Sequence, residues 1–246
     1  GFSPKRDFRV VIMRGEEEGL LGSLGMLGQL TEDDLSRRMR SGSAGPTLRE
    51  LLTGIGVDPA AVSSGKHCVD FAKIAAFIEV HIEQSARLDN AVTDRVGVVT
   101  GIRGLIRHRT IQAIGETAHA GAVDFPYRKD AALACARFSS RLYDFWHGRD
   151  LVATTGVIRT SPSASMNKIA GECIVSLDAR SLSAAELNLF EKKVEAILQE
   201  TAEETGVIFK TDPLMRIAPV EADEGVMKKL ETSADILKIG TQRMPS

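Results

Sequence analysis

The middle of the chain alternates between strand and helix patterns, and this alternation limits the folds open to it. Four runs rich in β-branched or alternating apolar residues predict strands, at 105–114, 152–161, 172–178 and 207–210. Two patterns with apolar residues three and four positions apart predict helices, at 128–146 and 183–205. The order strand–helix–strand–strand–helix–strand is that of the split-βαβ, ferredoxin-like arrangement. Such a unit buries one face of its sheet under two helices and leaves the other face free.

The segments on either side of this unit predict a second domain. Residues 8–13, with the sequence FRVVIM, form a short apolar run that predicts a buried strand. A helical pattern at 221–239 follows the closed unit and cannot belong to it. We therefore expect a discontinuous α/β domain built from 1–103 and 216–246, with the ferredoxin-like domain 104–215 inserted into it.

A second apolar run outside this unit, FIEVHIEQ at 77–84, predicts a buried strand with ionisable residues on one face. Its two faces alternate, with Ile78, Val80 and Ile82 on one and Glu79, His81 and Glu83 on the other. Buried ionisable groups are costly unless something compensates them, and a histidine among carboxylates is typical of a metal site. An edge strand with a solvated polar face is the alternative.

Three further places carry side chains suited to chemistry. Residues 14–19, RGEEEG, follow the first predicted strand, where α/β sheets place their sites, but a solvated acidic turn is the alternative that spacing alone favours. His119 lies between small residues just beyond a strand, and a plain loop histidine is the alternative. Asn167 and Arg180 follow one another across two neighbouring strands. Arginine recognises carboxylates through a bidentate fork, whereas a surface pair of Arg180 with Asp178 is the alternative.

Composition excludes some classes of partner. The net charge of −2 argues against a nucleic acid or an anionic membrane surface as the main partner. No apolar run approaches the roughly 18 residues that span a bilayer, and no secretory signal is visible. Cys68, Cys135 and Cys173 are far apart and flanked by apolar residues, which predicts buried thiols in a reducing compartment. We therefore expect a cytoplasmic protein.

Several motifs, in order from end to end of the chain, resemble those of one family. The matching segments are RGEE at 14–17, LGS at 21–23, FIEVHIEQ at 77–84, VGVVTGIRG at 96–104, GETAHAG at 115–121, YRKDAAL at 127–133, NKIAGE at 167–172 and SLDARS at 176–181. They resemble the metal-dependent amidohydrolases of the M20 peptidase type. More narrowly, they are similar to the hydantoinase/carbamoylase amidases, which include N-carbamoyl-amino-acid hydrolases, allantoate amidohydrolases and β-ureidopropionases.

The resemblance implies a fold and a reaction. The fold is a zinc-peptidase-like α/β catalytic domain, interrupted by a βαββαβ lid that also forms a homodimer interface. The reaction is attack of metal-activated water on a carbamoyl or ureido carbon of a small substrate that carries a carboxylate. The cofactors would be two divalent metal ions, either zinc or one of manganese, cobalt and nickel, all of which suit mixed nitrogen and oxygen ligands.

The resemblance also implies a role for each matching residue in the catalytic domain. Glu16 would act as the general base and Glu17 as a metal ligand, although alignment on the following glycine moves these roles to Glu17 and Glu18. His81 would be a second metal ligand, and Gln84 would contact the substrate. A carboxylate beside the metal can take the proton of a water whose pKa the metal has lowered.

The lid residues would complete the site. His119, reaching from the lid of the neighbouring subunit, would polarise the carbonyl oxygen of the substrate in the transition state. Asn167 and Arg180 would hold the carboxylate of the substrate. These roles suit the amide and the guanidinium, which present hydrogen-bond donors in fixed directions.

The match to the family is incomplete, which leaves alternatives open. The family's dinuclear site also uses a histidine and a bridging aspartate upstream of the glutamates and a histidine downstream, in motifs that this sequence lacks. Glu17 and His81 alone fall short of the ligand set of a catalytic zinc ion. The chain therefore resembles a fragment of a longer hydrolase, and we expect it to hold no stoichiometric catalytic metal and to show no turnover by itself. An aminoacylase or dipeptidase of the same fold, and a non-catalytic dimeric binding protein that has lost its metal centre, are the alternatives.

Overall fold

A computed structural model describes residues 5–39, 45–89 and 94–246. The chain separates into two compact units, Gly1–Val80 and His81–Ser246. Each unit is described by itself below. The regular structure of the first unit is helical, whereas the second unit carries the sheet that positions the lid residues of the predicted site.

Short helices make up the regular structure of the first unit. They are α1 (Leu21–Met26), α2 (Glu32–Ser36), α3 (Leu48–Gly54) and α4 (Pro59–Val62), followed by a 3₁₀ turn at Phe71–Lys73. Thr31 and Thr47 begin α2 and α3 with capping boxes. In each, the threonine hydroxyl accepts the backbone N–H of an acidic residue three positions later, whose side chain accepts the backbone N–H of the threonine. The apolar side chains pack into a small core, made of Leu21, Leu30, Leu35, Met39 and Leu48.

The two apolar runs that predict buried strands outside the ferredoxin-like unit are not strands in this structure. Residues 8–13 join no sheet, and Phe8 and Ile12 are 83% and 89% exposed. Residues 77–84 join no sheet either, and Val80 is 97% exposed. The prediction of buried strands was wrong here because a strand exists only through hydrogen bonds to a neighbour. No segment of the described chain supplies a neighbour for either run.

The regular elements of the second unit are strands and three longer helices. The strands are β1 (Asp94–Val99), β2 (Gly101–Ile102), β3 (Gly104–Ile114), β4 (Ala118–His119), β5 (Val152–Thr154), β6 (Ile158–Thr160), β7 (Lys168–Ile169), β8 (Glu172–Ser181), β9 (Ile208–Thr211), β10 (Met215–Ile217), β11 (Val220–Glu221) and β12 (Gly240–Met244). The helices are α5 (Ala131–Trp146), α6 (Ala184–Thr205) and α7 (Glu224–Ile236), with a 3₁₀ turn at Phe125–Tyr127.

A six-stranded antiparallel sheet organises this unit. Its two long strands, β3 and β8, pair from Gly104↔Ser181 to Ile114↔Glu172. β9 and β10 pair with the two ends of β3, and β5 and β6 pair with the two ends of β8. Each edge of the sheet is therefore one interrupted strand, and the strand order is that of a split-βαβ unit.

The single strand predicted at 152–161 is interrupted in the structure. β5 ends at Thr154 and β6 begins at Ile158. Between them the N–H of Ser176 donates to the carbonyl oxygen of Val157, but the N–H of Val157 donates to the hydroxyl oxygen of Ser176, both at 3.0 Å, so a side chain replaces the backbone acceptor. The apolar pattern of the segment could not reveal this exchange.

Helices α5 and α6 cover one face of the sheet, as their apolar spacing predicts. Asp130 begins α5 by accepting the N–H groups of Ala132 and Leu133, and Ser183 begins α6 by accepting an N–H from Glu186. The residues buried between these helices and the strands include Cys135, Phe138, Leu142, Cys173, Val175, Leu177, Leu187, Phe190, Val194 and Ile197. This is the main apolar core of the unit.

A bulge in β3, between His108 and Ile111, keeps the core face apolar. It changes which residues point inward, so that Ile106 before the bulge and Ile111 after it both lie in the core. Asp212 fixes the bulge by accepting the N–H groups of Arg109 and Thr110, each at 3.2 Å. Burial would raise the pKa of Asp212, but hydrogen bonds from Thr110, His108 and Arg109 outweigh it and hold the pKa below its usual range.

The two ends of the second unit pair with each other. β1 and β12 run parallel, and α7 packs against both strands. β2 and β11 pair antiparallel next to them. Arg243 on β12 binds the carboxylates of Glu224 and Glu231 on α7, which ties the helix to the strand. The helix is shorter at both ends than the 221–239 that its pattern predicts.

The cysteines confirm part of the prediction made for them. Cys135 and Cys173 are buried free thiols, and burial raises the pKa of Cys135 well above its usual range. Cys68 is exposed, so the prediction of burial was wrong there. It lies in a loop of the helical first unit, whose small core lies elsewhere. No helix in the described part of the chain is long and apolar enough to cross a membrane.

Candidate active site

The structure brings the backbone segments that carry His119 and Asn167 together. β4 and β7 are two short strands that pair antiparallel, with His119 opposite Lys168. The N–H of Ala120 donates to the backbone oxygen of Asn167 at 2.9 Å. Both side chains are exposed. Two segments that are almost 50 positions apart in sequence thus meet at one end of the sheet, and each carries a polar side chain that is exposed.

The backbone around His119 determines how its ring can act. The N–H of Gly121 donates to Nδ1 of His119 at 3.1 Å. In the neutral ring Nδ1 is then the acceptor, so the proton lies on Nε2. The exposed edge of the ring therefore offers an N–H donor, which is the form needed to polarise a carbonyl oxygen.

Two glycines permit the close approach of the segments that carry this histidine. A Cβ on Gly115 would lie 2.0 Å from the carbonyl oxygen of Lys129, and a Cβ on Gly171 would lie 2.8 Å from the N of Thr117. Both distances are far shorter than any real contact. The N–H of Gly115 donates to the oxygen of Gly171 at 2.9 Å, which joins the two segments.

Arg128 holds the loop that carries His119, a role that we did not predict from the sequence. Its Nε donates to the carbonyl oxygen of Val123 at 2.8 Å, and its Nη2 donates to that of Ala120. One half-buried guanidinium thus fixes both sides of Gly121. The motif YRKDAAL contains this arginine, but only the folded loop shows which carbonyls it reaches.

An open cavity of about 370 Å³ lies beside the β4–β7 pair. Its walls include Asp130, Thr160, Ser165 and Lys168. The Oγ of Ser165 donates to Oδ1 of Asn167 at 2.9 Å, so one edge of the amide is already engaged and its NH₂ group is turned outward as a donor. The cavity gives a small polar molecule room beside Ser165 and Lys168, the neighbours of this segment in the sequence.

Arg180 lies at the opposite end of the same sheet, within an ion-pair cluster. Its Nε donates to Oδ1 of Asp178 at 2.8 Å. Arg107, opposite Asp178 on β3, donates through Nε and Nη2 to the other carboxylate oxygen. Burial would raise the pKa of Asp178, but hydrogen bonds from Arg180 and Arg107 outweigh it and lower the pKa. The same bond to Asp178 raises the pKa of Arg180.

The length of β8 separates Arg180 from the His119 end of the sheet. Strand β8 runs from Glu172 to Ser181, and Asn167 precedes its first residue. At the usual rise per residue, the eight steps from Glu172 to Arg180 span roughly 25 Å. Asn167 and Arg180 therefore do not share one small-molecule site within a single chain.

The predicted acidic residues of the first unit lie in an exposed turn. Glu16 accepts backbone N–H groups from Gly19 and Leu20, at 3.0 and 2.8 Å, through its carbonyl oxygen. The side chains of Glu16 and Glu17 are exposed. Arg37 donates to the backbone oxygen of Glu18 at 2.5 Å and holds the turn from its other side. This is the solvated acidic turn that the sequence left open as an alternative.

His81 and Gln84 are exposed in the unpaired run of the second unit. Nδ1 of His81 lies 2.5 Å from the carbonyl oxygen of Ile82, a purely local contact. Glu83 caps a turn by accepting the N–H groups of Arg87 and Leu88, both at 2.9 Å. A hydrogen bond from Ser85, together with these backbone bonds, lowers the pKa of Glu83.

The described residues do not fit a metal centre. Within 5–39, 45–89 and 94–246, no group of three or more histidine, cysteine, aspartate or glutamate side chains could hold a metal ion. Glu17 belongs to the first unit and His81 to the second, and two donors are fewer than a catalytic zinc ion takes from a protein. Among the predicted site residues, the structure joins the segments that carry His119 and Asn167.

Comparison with known proteins gives relatives that include amidohydrolases. No protein-family model matches the chain. An N-carbamoyl-L-amino-acid amidohydrolase from Geobacillus stearothermophilus is 30% identical over 229 residues, covering 93% of this chain and 54% of that protein. An allantoate amidohydrolase from Bacillus subtilis is 31% identical over 237 residues, covering 90% of this chain and 53% of that protein.

A solved structure extends the comparison to the fold. The crystal structure of a hydantoinase/carbamoylase family amidase from Burkholderia phymatum matches with a TM-score of 0.74 at 27% identity, covering 94% of this chain and 57% of that chain. The chain thus spans about half the length of the curated relatives that it matches. In sequence and in its mixed α/β fold, this chain is similar to the hydantoinase/carbamoylase amidases.

Proposed function

We propose that this protein hydrolyses a C–N bond of a linear carbamoyl or ureido group, in a substrate such as an N-carbamoyl amino acid or allantoate. The observation that carries the proposal is the β4–β7 pair, which joins the backbone segments of His119 and Asn167 at one end of the sheet. Relatives named for the hydrolysis of N-carbamoyl-L-amino acids and of allantoate match nine-tenths or more of the chain.

His119 is the catalytic residue of the lid in this proposal. Because Gly121 occupies Nδ1, the ring can donate its Nε2–H to the carbonyl oxygen of a carbamoyl group. Negative charge develops on that oxygen as the carbon becomes tetrahedral, and a donor held in place stabilises it. Arg128 acts as a positioning residue, since it fixes the loop on both sides of Gly121.

The substrate carboxylate would be held by Asn167 and Arg180, which requires two copies of the chain. Strand β8 separates these side chains by roughly 25 Å within one chain, which exceeds the length of a carbamoyl amino acid. We therefore infer that each site takes His119 and Asn167 from one subunit and Arg180 from the other. The protein would then be a homodimer in which the ferredoxin-like unit 104–215 serves as lid and interface.

The catalytic half of the site is inferred from the resemblance alone. It would use Glu16 as general base, Gln84 as a substrate contact, and Glu17 and His81 as ligands of two divalent metal ions. We assign these residues no step, because the described chain does not complete a metal site. Three further expectations stay predictions. They are the discontinuous catalytic domain 1–103 and 216–246, the absence of metal from this chain on its own, and a cytoplasmic location.

Ammonia release tests the proposal. The whole protein, supplied with zinc, manganese, cobalt or nickel, is assayed on N-carbamoyl-L-amino acids and allantoate, with N-acetyl amino acids and dipeptides as competitors. We expect ammonia from the ureido compounds, and a loss of about 100-fold or more in kcat for His119→Ala. His147→Ala, which removes an exposed histidine at the end of α5, is the matched control and should keep full activity.

The other outcomes separate the alternatives. Hydrolysis of the acetyl amino acids or dipeptides in preference to the ureido compounds would contradict the proposal in favour of an aminoacylase or dipeptidase. Binding of the ureido compounds without turnover at any metal concentration would contradict it in favour of a non-catalytic binding protein.

A further inference from the structure

Arg107, Asp178 and Arg180 form a charge cluster on the face of the sheet that faces away from α5 and α6. Arg107 and Asp178 are directly opposite each other on β3 and β8, and Arg180 is two positions further along β8. The side chain of Arg180 is 52% exposed, whereas those of Arg107 and Asp178 are 34% and 24% exposed. The arginine on which the proposed function relies is therefore the outermost member of the cluster.

The charges of the cluster do not cancel. Within residues 94–246, the hydrogen bonds of both guanidinium groups go to Asp178 alone. Two positive charges and one negative charge leave a net charge of +1. Asp178 stays ionised at neutral pH, because hydrogen bonds from the two arginines lower its pKa against the effect of burial. With Arg180 and Asp178 alone, the net charge would be zero.

The contacts of Arg180 leave one side of its guanidinium open. Nε and Nη2 donate to Asp178, and the Nη1 group has no partner among the described residues. The strand neighbours that flank Arg180 are Leu105 on β3 and Val152 on β5. Apolar neighbours offer no competing acceptor, so the open Nη1 group suits an anion that approaches from outside the sheet.

We propose that Arg107 is a positioning residue for the substrate carboxylate, which it serves by balancing the charge of Asp178. This inference rests on the proposed function, in which Arg180 binds that carboxylate. Asp178 orients Arg180 through its Nε, and Arg107 supplies the charge that keeps the cluster cationic. Without Arg107, the carboxylate of Asp178 would neutralise the arginine that it orients.

Binding of a carboxylate probe to the protein tests this inference. The probes are N-carbamoylglycine and its uncharged amide, and the signal is the Nε–H resonance of Arg180 during titration. We expect the unaltered protein to prefer the carboxylate and Arg107→Gln to bind it roughly fivefold to tenfold more weakly. Arg107→Lys keeps the charge and should stay within about twofold of the unaltered protein.

Two further variants separate charge balance from a structural effect. Arg159→Gln removes one positive charge from an exposed side chain on β6, opposite Ile174, and should leave binding unchanged. The double variant Arg107→Gln/Asp178→Asn restores the net charge of +1, so it should bind the carboxylate at least about threefold more tightly than Arg107→Gln alone. A variant that merely damaged the fold would not be rescued in this way.

The inference and the proposed function fail in different ways. If Arg107→Gln binds as well as Arg159→Gln, or if the double variant is no tighter than Arg107→Gln, the role of Arg107 is wrong while that of Arg180 stands. If Arg180→Gln binds the carboxylate as well as the unaltered protein does, or if neither binds it, the proposed carboxylate site is wrong and the inference falls with it.

Discussion

The sheet around β3 and β8 and the two apolar runs at 8–13 and 77–84 carry the same strand pattern but differ in structure. In the sheet, every second residue of β8 is buried, from Cys173 to Ala179. In the run 77–84, the alternating apolar residues are exposed. The difference lies in pairing, because β8 has hydrogen-bonded neighbours on both sides whereas the run has none among the described residues.

This comparison shows what a strand pattern reports. It identifies side chains that gain free energy from burial, at about 25 cal/mol for each Å² of apolar surface removed from water. It does not identify the segment that buries them. A sheet unit that contains all of its own partners therefore folds as its pattern predicts, and an isolated run with the same pattern does not.

The largest expected effect tests the difference in burial directly. Phe138→Ala removes a fully buried ring from the core and should lower the free energy of unfolding by about 3–5 kcal/mol. Ile82→Ala, at a position that is 77% exposed, should change it by less than about 0.5 kcal/mol. Urea unfolding followed by the fluorescence of Trp146, the single tryptophan, measures both. A cost above about 2 kcal/mol for Ile82→Ala would contradict the exposure of this run.

A somewhat smaller effect tests whether the His119 loop shares the tight packing of the sheet. Gly115→Ala would place a Cβ 2.0 Å from the carbonyl oxygen of Lys129, so the backbone must shift, at a cost of about 2–3 kcal/mol. At Gly156 the nearest atom to a new Cβ is 3.7 Å away, so Gly156→Ala should be neutral or slightly stabilising. Equal effects of the two variants in urea unfolding would show that the loop is not packed as described.

The pH dependence of stability sharpens the comparison at the ion pairs of the sheet. Asp178 has a pKa below its ordinary value of 3.8, because the hydrogen bonds from Arg180 and Arg107 outweigh burial. A group whose pKa is lowered by folding stabilises the fold above its unfolded pKa, and this stabilisation is lost as the pH falls through the folded pKa. Asp178→Asn should therefore cost about 1–2 kcal/mol at pH values from 5 to 7.

The difference in free energy of unfolding between the unaltered protein and Asp178→Asn should shrink as the pH falls below the ordinary pKa of the carboxyl group. There the unaltered protein loses the stabilisation by ionised Asp178, which the asparagine variant lacks at every pH. Urea unfolding of both proteins across this range measures it. If the difference in free energy of unfolding already narrows between about pH 7 and pH 5, the effect of burial exceeds that of the hydrogen bonds and the pKa of Asp178 is raised.

Local sequence patterns predicted the elements that depend on residues within the same segment. The helices α5 and α6 follow from apolar spacing, but α5 begins at Ala131, after its cap Asp130, and not at the predicted residue 128. The break between β5 and β6 could not be predicted, because the hydroxyl of Ser176 that accepts the N–H of Val157 there belongs to another strand. The exposure of Cys68 was also missed, because its neighbours in sequence are not part of the small core of the first unit.

The candidate site was predictable only through motifs. The resemblance led to His119, Asn167 and Arg180, but the register that puts Arg107 opposite Asp178 depends on a bulge that pairwise patterns do not reveal. The loop contacts of Arg128 likewise depend on how the folded chain returns to Ala120 and Val123. Motifs identify which residues matter to a family, whereas the fold decides which of them can act together.

Mixing two variants of the whole protein tests most directly whether one substrate is held by two copies of the chain. His119→Ala and Arg180→Gln should each be nearly inactive alone. After joint refolding, about half of the dimers are mixed and each keeps one complete site, so activity should return to about a quarter of the unaltered value. A mixture of His119→Ala with Asn167→Ala, whose lesions lie at the same end of the lid, should stay inactive. If the first mixture is no more active than its components, the composite site is wrong.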